Sequence, residues 1–483
     1  MTPEMFSKSG ETRLFIPFPS RWVPAVRACV AAALLAACLP ALPAETAPQP
    51  PLVRKTLLNE LGGVMLRSDQ ARFALTLGLQ QGAVFDPSGK EGLTLVTARY
   101  VLERLRQEIE ISAQEVGAPE VPESDILVTH DGVRLTARGQ SSLLFTVGQA
   151  LSRVLQSDKY SEPLFLSVRD GLARELEGRE RDPAWVAEGA FHTLLYAPFP
   201  YARNPNGTAL SVRALDLKDM IRHFRRLFMP NRSFVRLVAP LGESEFRRFL
   251  IQSFGSWTKG EPLVAQFTPP AADQPVTVFH LAPGARYGCA VVGVECIRRK
   301  SEDYPSLWVL FRLLSQRMAG LRVRYPEYRF EPSLEALALR GHVLVRIAGP
   351  ADFDLEVIGE TLGVLSRLAD TRLGSADFDR FRDEWRRSIE ARTSSTEGFL
   401  DLLTEMEWFR LGNGVNQAYL RPMDAAIPED VPFLARSFFS AGKYRVAVAL
   451  AALPDSNAVP AALRPFTAAG APGRASAPPV TQP

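Results

Sequence analysis

The sequence predicts an α+β protein made of two similar halves, and three observations carry that prediction. Stretches that alternate with period two recur along the chain, each set followed by stretches of helical period. The segment RRLFMPNRSFVRLVAPL, from Arg225, matches ARSFFSAGKYRVAVALAAL, from Ala435, with Phe228 and Phe439 aligned 211 positions apart. Between the halves, Trp257–Pro275 holds four prolines and little periodicity. The strand Leu77–Ala83 also answers Val291–Ile297 at an offset near 214. A period this long indicates a duplicated domain rather than a solenoid.

Taken in order, residues 45–52 form a Pro/Ala-rich tether, and short strands are predicted near Arg54–Asn59 and Gly63–Arg67. The central block is RFALTLGLQQGAVFDPSGKEGLTLVTARYVLERL, Arg72 to Leu105. Phe73, Leu75, Leu77 and Leu79 alternate with Arg72, Ala74, Thr76 and Gly78 as in a half-buried strand. Asp86-Pro87-Ser88-Gly89 is a turn, and from Lys90 onward Leu95, Ala98, Leu102 and Leu105 fall on one helical stripe. A hairpin turns at Asp131-Gly132, between Asp125–His130 and Val133–Arg138. Helices follow at Gln140–Leu155, from Ser161-Glu162-Pro163 to Glu177, at Trp185–Tyr196 and at Asp216–Phe228. Ser233–Val238 is a strand and Glu243–Phe254 a helix. The second half repeats the theme. Val276–Leu281 and Cys289–Cys296 are strands, Tyr304–Arg317 is a helix, and Arg329–Leu337 pairs with His342–Ile347. Helices at Asp352–Asp370, Ser375–Thr393 and Thr396–Leu411 precede a closing strand, Tyr444–Leu450. The halves span 45–255 and 276–454, with a linker at 256–275 and a disordered Ala/Pro-rich tail at 455–483.

Composition bounds the function. With 483 residues, 46% hydrophobic and 23% charged, the chain is an ordinary globular protein of more than one core. A net charge of +3, reduced to about +1 without residues 1–44, gives no argument for nucleic acid. Residues 1–44 read as an export signal. Arg21 and Arg27 precede the apolar run Ala28–Ala37, which at ten residues is too short to span a bilayer. Leu35-Ala36-Ala37-Cys38 resembles a bacterial lipoprotein cleavage box with Cys38 as the lipidated residue; ordinary cleavage after Ala44 is the alternative. Either route places the mature protein in the periplasm or on a membrane face. Cys289 and Cys296, seven apart on one extended stretch, face opposite ways and do not form a disulfide. There is no phosphate-binding Gly loop, Gly-x-Ser-x-Gly elbow or Cys-x-x-Cys, and no two of the five histidines are four apart.

The central block resembles the zinc-binding entry of the insulinase/pitrilysin peptidases. Gly82, Asp86, Pro87, Gly92 and Leu93 match that family's pattern. Its inverted motif His-x-x-Glu-His then falls on Leu95, Ala98 and Arg99, which supply neither imidazole ligand nor general base. The third ligand of the family, a glutamate, falls on Glu175, 76 residues after Arg99. Pro200, Tyr201, Arg203, Gly207 and Thr208 match a second family stretch, with its histidine position on Phe199. In the second half, Arg317, Leu321, Arg322 and Tyr328 match a third. The resemblance covers roughly residues 53–452. It implies two α+β halves, each a mainly antiparallel sheet with helices packed on one side. It also implies that Arg322 and Tyr328 hold substrate carbonyls, although the family's preceding glycine-rich loop is missing at Phe311–Ser315.

The expectation is a non-peptidase subunit without catalytic residues, metal or other cofactor of its own. It pairs with a homologous zinc-bearing subunit to enclose a peptide substrate, to which Arg322 and Tyr328 contribute contacts. The alternative is a peptide-binding or scaffold protein of the bacterial envelope with no part in proteolysis. Arg99 and Glu175 are expected to meet, since an arginine at a vacated ligand position supplies the positive charge that the glutamate lacks.

Overall fold

A computed structural model describes residues 52–261, 267–268, 276–440, 443–454, 459–460 and 463. The expected leader 1–44 with Cys38, the tether up to Pro51, and most of the linker and tail lie outside the described residues. Two tail residues within them, Val459 and Leu463, are buried in the core of the second half, so the expected disorder does not begin cleanly at Asp455. Their side chains, four apart, find apolar surface there.

The first half runs β1 (Leu52–Thr56), β2 (Gly62–Arg67), β3 (Arg72–Leu79), α1 (Leu93–Glu115), β4 (Glu123–Val128) and β5 (Val133–Gln140). It continues with α2 (Leu144–Leu155), α3 (Glu162–Arg179), α4 (Pro183–Tyr196), α5 (Ala209–Arg213), α6 (Leu217–Leu227), β6 (Ser233–Ala239) and α7 (Glu243–Phe254). The second half runs β7 (Val276–Leu281), β8 (Tyr287–Cys296), α8 (Tyr304–Arg324), β9 (Arg329–Ala336) and β10 (Gly341–Pro350). It ends with α9 (Glu356–Leu368), α10 (Ser375–Thr393), α11 (Thr396–Trp408), α12 (Arg421–Ala425), α13 (Asp430–Phe438) and β11 (Arg445–Leu450). Local chemistry sets several boundaries. Ser161 caps α3 through the Leu164 amide, with Pro163 in the first turn. Asp216 and Asp219 form a capping box on α6.

Each half carries one sheet, ordered β1-β2-β6-β3-β5-β4 and β7-β11-β8-β10-β9. The orders coincide once β1 is set aside. In each, the last strand runs parallel to the first shared strand, β6 with β2 and β11 with β7, and the other pairings are antiparallel. The register repeats too: Phe234 pairs with Gly78 as Arg445 pairs with Gly293. Hydrogen bonding thus reproduces the duplication seen in the sequence.

The helices of each half cover one face of its own sheet, with α1, α2, α6 and α7 over the first core and α8, α9 and α13 over the second. The other face is covered by a helix from the opposite half. Helix α4 lies on β8 and β11, and α11 lies on β6 and β3. This reciprocal crossing explains a difference from the sequence reading. Strand β3, predicted half-buried, is buried on both faces from Phe73 to Leu79. Cys289 and Cys296 are free and buried on opposite faces of β8, the first toward α4 and the second toward the core under α8.

Candidate functional site

The frame of the resemblance is intact around the start of α1. Asp86 accepts hydrogen bonds from the amides of Gly92 (2.9 Å) and Thr94 (2.9 Å) and from the Thr94 hydroxyl (2.6 Å), so it satisfies donors that a helix start leaves open. Gly92, at φ +88°, permits the turn; a Cβ there would strike the Asn206 carbonyl at 2.7 Å. The second matched stretch closes on the first. Arg203 Nη1 donates to the Asp86 carbonyl at 2.9 Å, Gly207 packs against the backbone of Glu91, and Thr208 caps α5. The segment is therefore a structural brace as well as a sequence match. Burial pushes the Asp86 carboxyl up to about 7 and holds the neighbouring His223 imidazole down at about 4.

The metal positions inside this frame do not fit zinc. Leu95 and Ala98 are buried among the apolar side chains of the first core and offer no lone pair. Arg99 Nη1 lies 2.8 Å from Glu175 Oε2, and Arg179 Nη2 lies 2.7 Å from Glu175 Oε1. The glutamate is thus held between two guanidinium groups, and its carboxylate is satisfied by cations of the chain itself. No metal chemistry follows from these residues.

Arg322 and Tyr328 stand in different surroundings. Helix α8 continues to Arg324, beyond the predicted end at Arg317, so Arg322 is a helical residue. It is exposed, and its Nη2 donates to the Phe330 carbonyl at 2.5 Å. Tyr328 belongs to the second core, 6% exposed, with its ring against Phe353 and its hydroxyl accepting from the Asp354 amide at 2.7 Å. The apolar surroundings and the Asp354 amide both hold the phenol inward. Arg317 and Leu321 line a cavity of about 200 Å³ with Gly320, Val364, Arg367 and Leu368.

A cluster that sequence reading did not find lies where α4 crosses the second sheet. His192 from α4, Glu335 from β9 and His342 from β10 each place a ligand-type atom within 4.8 Å of the other two. Tyr196, one turn beyond His192, has its hydroxyl 3.0 Å from His342 Nδ1. No spacing in the chain announces this group, because each member comes from a different element.

No family profile and no curated protein sequence matches the chain. Solved structures do. A protease from Helicobacter pylori superposes with a TM-score of 0.73 at 16% identity, covering 83% of this chain and 99% of that one. An inactive domain of an M16 peptidase from Pseudomonas fluorescens gives 0.72 at 14% identity, covering 83% and 98%. The first half of the periplasmic protease PqqL from Escherichia coli gives 0.67 at 11% identity, covering 86% and 96%. Among the described residues no helix is long and apolar enough to cross a membrane. With two matched sheets, the brace around α1 and these superpositions, the chain has the two-half α+β fold of the M16, or insulinase-type, peptidases.

Proposed function

We propose that this chain is a non-catalytic subunit that pairs with a homologous zinc-bearing chain to form a peptide-processing chamber in the periplasm. The observation that carries the reading is the ion pair of Arg99 and Glu175 inside an otherwise complete frame. The positions that would hold zinc are filled by a hydrophobic core and a satisfied salt bridge, so the chain keeps the shell of a peptidase without its chemistry. One of the similar structures is described as an inactive M16 domain, and another as half of a periplasmic protease, which supports both parts of the reading. In this role the chain supplies a wall of the chamber, and the exposed Arg322 is its available cationic donor.

The test is reconstitution with the homologue that carries an intact His-x-x-Glu-His. Co-migration on size exclusion and a gain of peptide cleavage over the homologue alone are expected. Absence of both association and gain overturns the proposal. The buried position of Tyr328 favours a second reading, a peptide-binding scaffold without a part in turnover. Arg322→Ala in the reconstituted pair separates the two: a large loss of turnover supports the chamber contact, and unchanged turnover supports the scaffold. Mass spectrometry of the mature N-terminus decides between a lipidated Cys38 and a start at Glu45. Retention of Met1 in the mature protein would remove the export argument.

A further inference from the structure

We propose that His192, Glu335 and His342 form a three-ligand site for a divalent transition metal ion of the zinc class, stapling α4 of the first half to the β9–β10 hairpin of the second. The ligands sit on three regular elements rather than loops, which fixes their spacing. His342 and Glu335 are direct partners in the β9–β10 ladder. His342 Nε2 and Glu335 Oε2 are 3.4 Å apart, and metal–ligand bonds of 2.0–2.2 Å in a tetrahedral site set an edge of roughly 3.4 Å. All three ligand atoms lie within 4.8 Å of one another, against an edge of roughly 3.4 Å in a closed tetrahedral site.

Two independent features point to a ligand. His192 Nε2 is shielded from solvent and has no hydrogen-bond partner among the described residues. A buried polar atom without a partner costs about 1–3 kcal/mol, and an ion bound to its lone pair removes that penalty. Tyr196 supplies the outer contact that a ligating histidine needs. With His342 Nδ1–H donating to the Tyr196 hydroxyl, the lone pair is left on Nε2, facing Glu335. His130, 6.5 Å away ring to ring, is not a fourth ligand, because its Nε2 is engaged by the Arg203 carbonyl at 3.0 Å. The Glu335 side chain is 47% exposed, which gives the ion a route in and leaves room for a water ligand. Two imidazoles and one carboxylate select zinc, cobalt, nickel or iron(II) over calcium and magnesium, which take oxygen ligands. The inference is independent of any pairing with a homologue, and it departs from the expectation that zinc resides only in a partner.

The full chain, stripped of metal with a chelator, is titrated with cobalt(II) and then with zinc. A single saturable equivalent with tetrahedral d–d absorption, displaced by zinc, is expected, together with a rise in Tm on adding zinc. Glu335→Gln and His192→Ala should each weaken cobalt binding at least about tenfold and abolish the Tm rise, by analogy with losses on perturbing metal shells. Glu335→Gln is the decisive variant, since a partly exposed side chain is changed and folding, followed by circular dichroism, should be retained. Absence of saturable binding in the parent overturns the proposal, as does binding equally strong in both variants.

Discussion

The two crossed helices meet their sheets by different physics. Helix α4 presents Ala187, Phe191, Leu195 and Tyr196 to Cys289, Val291, Leu344, Ala447 and Ala449, a largely apolar seam with one ion pair, Glu188 with Arg346, at its side. Gly293 makes room for it, since a Cβ there would lie 2.8 Å from the Phe191 ring. Helix α11 presents mostly charge. Glu407 accepts from Arg236 at 2.7 Å and from Gln80 at 2.9 Å, Asp401 pairs with Arg134, and the Trp408 indole donates to the Leu79 carbonyl at 3.0 Å. Its apolar share is small: Leu400 against Ala74 and Val238. The duplicated architecture therefore does not duplicate its adhesive. One seam rests mainly on area removed from water and the other mainly on paired charges that must stay paired.

The largest effect tests the apolar seam. Phe191→Ala opens a cavity under a fully buried ring and should cost about 3–5 kcal/mol, read by denaturant unfolding. Raising salt should leave this loss unchanged, because burial of apolar surface is not screened. A loss under about 1 kcal/mol would show that α4 is not a principal contact.

Next comes the charged seam. Glu407→Ala leaves Arg236, whose side chain is 4% exposed, without its carboxylate, and should cost about 3 kcal/mol. Adding Arg236→Met and replacing Glu407 by leucine instead of alanine should recover most of that. If the single and double changes are equally harmful, the seam is held by packing after all and the contrast disappears.

A pair inside the first half calibrates acid sensitivity against both seams. Burial lowers the His223 pKa to about 4, so its stabilising neutral form is lost as pH falls from about 6.5 toward 4. Burial raises the Asp86 pKa to about 7, so its contribution has the opposite sign: full below its unfolded value and lost as pH rises through 7. Between pH 4 and 6.5 the two nearly cancel, because folded and unfolded states each hold one proton on the pair. Asp86→Asn should expose the histidine term as a fall of roughly 2–3 kcal/mol over that window. A flat profile in this variant would refute the opposing-pair account.

The smallest effect belongs to Arg99→Ala. Its side chain is 21% exposed and that of Glu175 32%, and Arg179 still holds the glutamate, so a loss of about 0.5–1 kcal/mol is expected in thermal unfolding. Arg99→His should bind no zinc at this position, since Leu95 remains part of the core.

What the sequence made legible was what period and spacing encode. The strands, the helices, the duplication and the meeting of Arg99 with Glu175 all follow from local pattern or from a fixed separation on matched elements. Three things lay beyond it. The burial of β3 on both faces depends on α11, more than 300 residues away in the chain, as the Trp408–Leu79 contact shows. Tyr328 gave no sign that its hydroxyl turns inward to the Asp354 amide, because a tyrosine at a strand start suits a core and a site equally. The histidine–glutamate cluster draws on α4, β9 and β10, and only the crossing brings them within reach. The first and third are products of contact between halves, and the second of a contact between β9 and the segment after β10; local pattern carries no information on any of them.

That crossing has a consequence for ancestry. Helices α4 and α11 occupy equivalent places in the two repeats, and each covers the sheet of the other. A lone repeat would leave that sheet face bare and its own helix without a seat. Two copies of one repeat, exchanging the helix about a two-fold axis, satisfy both needs at once, which is an isologous dimer. The present chain has the reciprocal arrangement of such a dimer within one polypeptide. Within one polypeptide the two seams need not be identical, so one is largely apolar and carries histidines while the other is mostly charged. An identical pair could not have made that division, since any change to one seam would have been made to both.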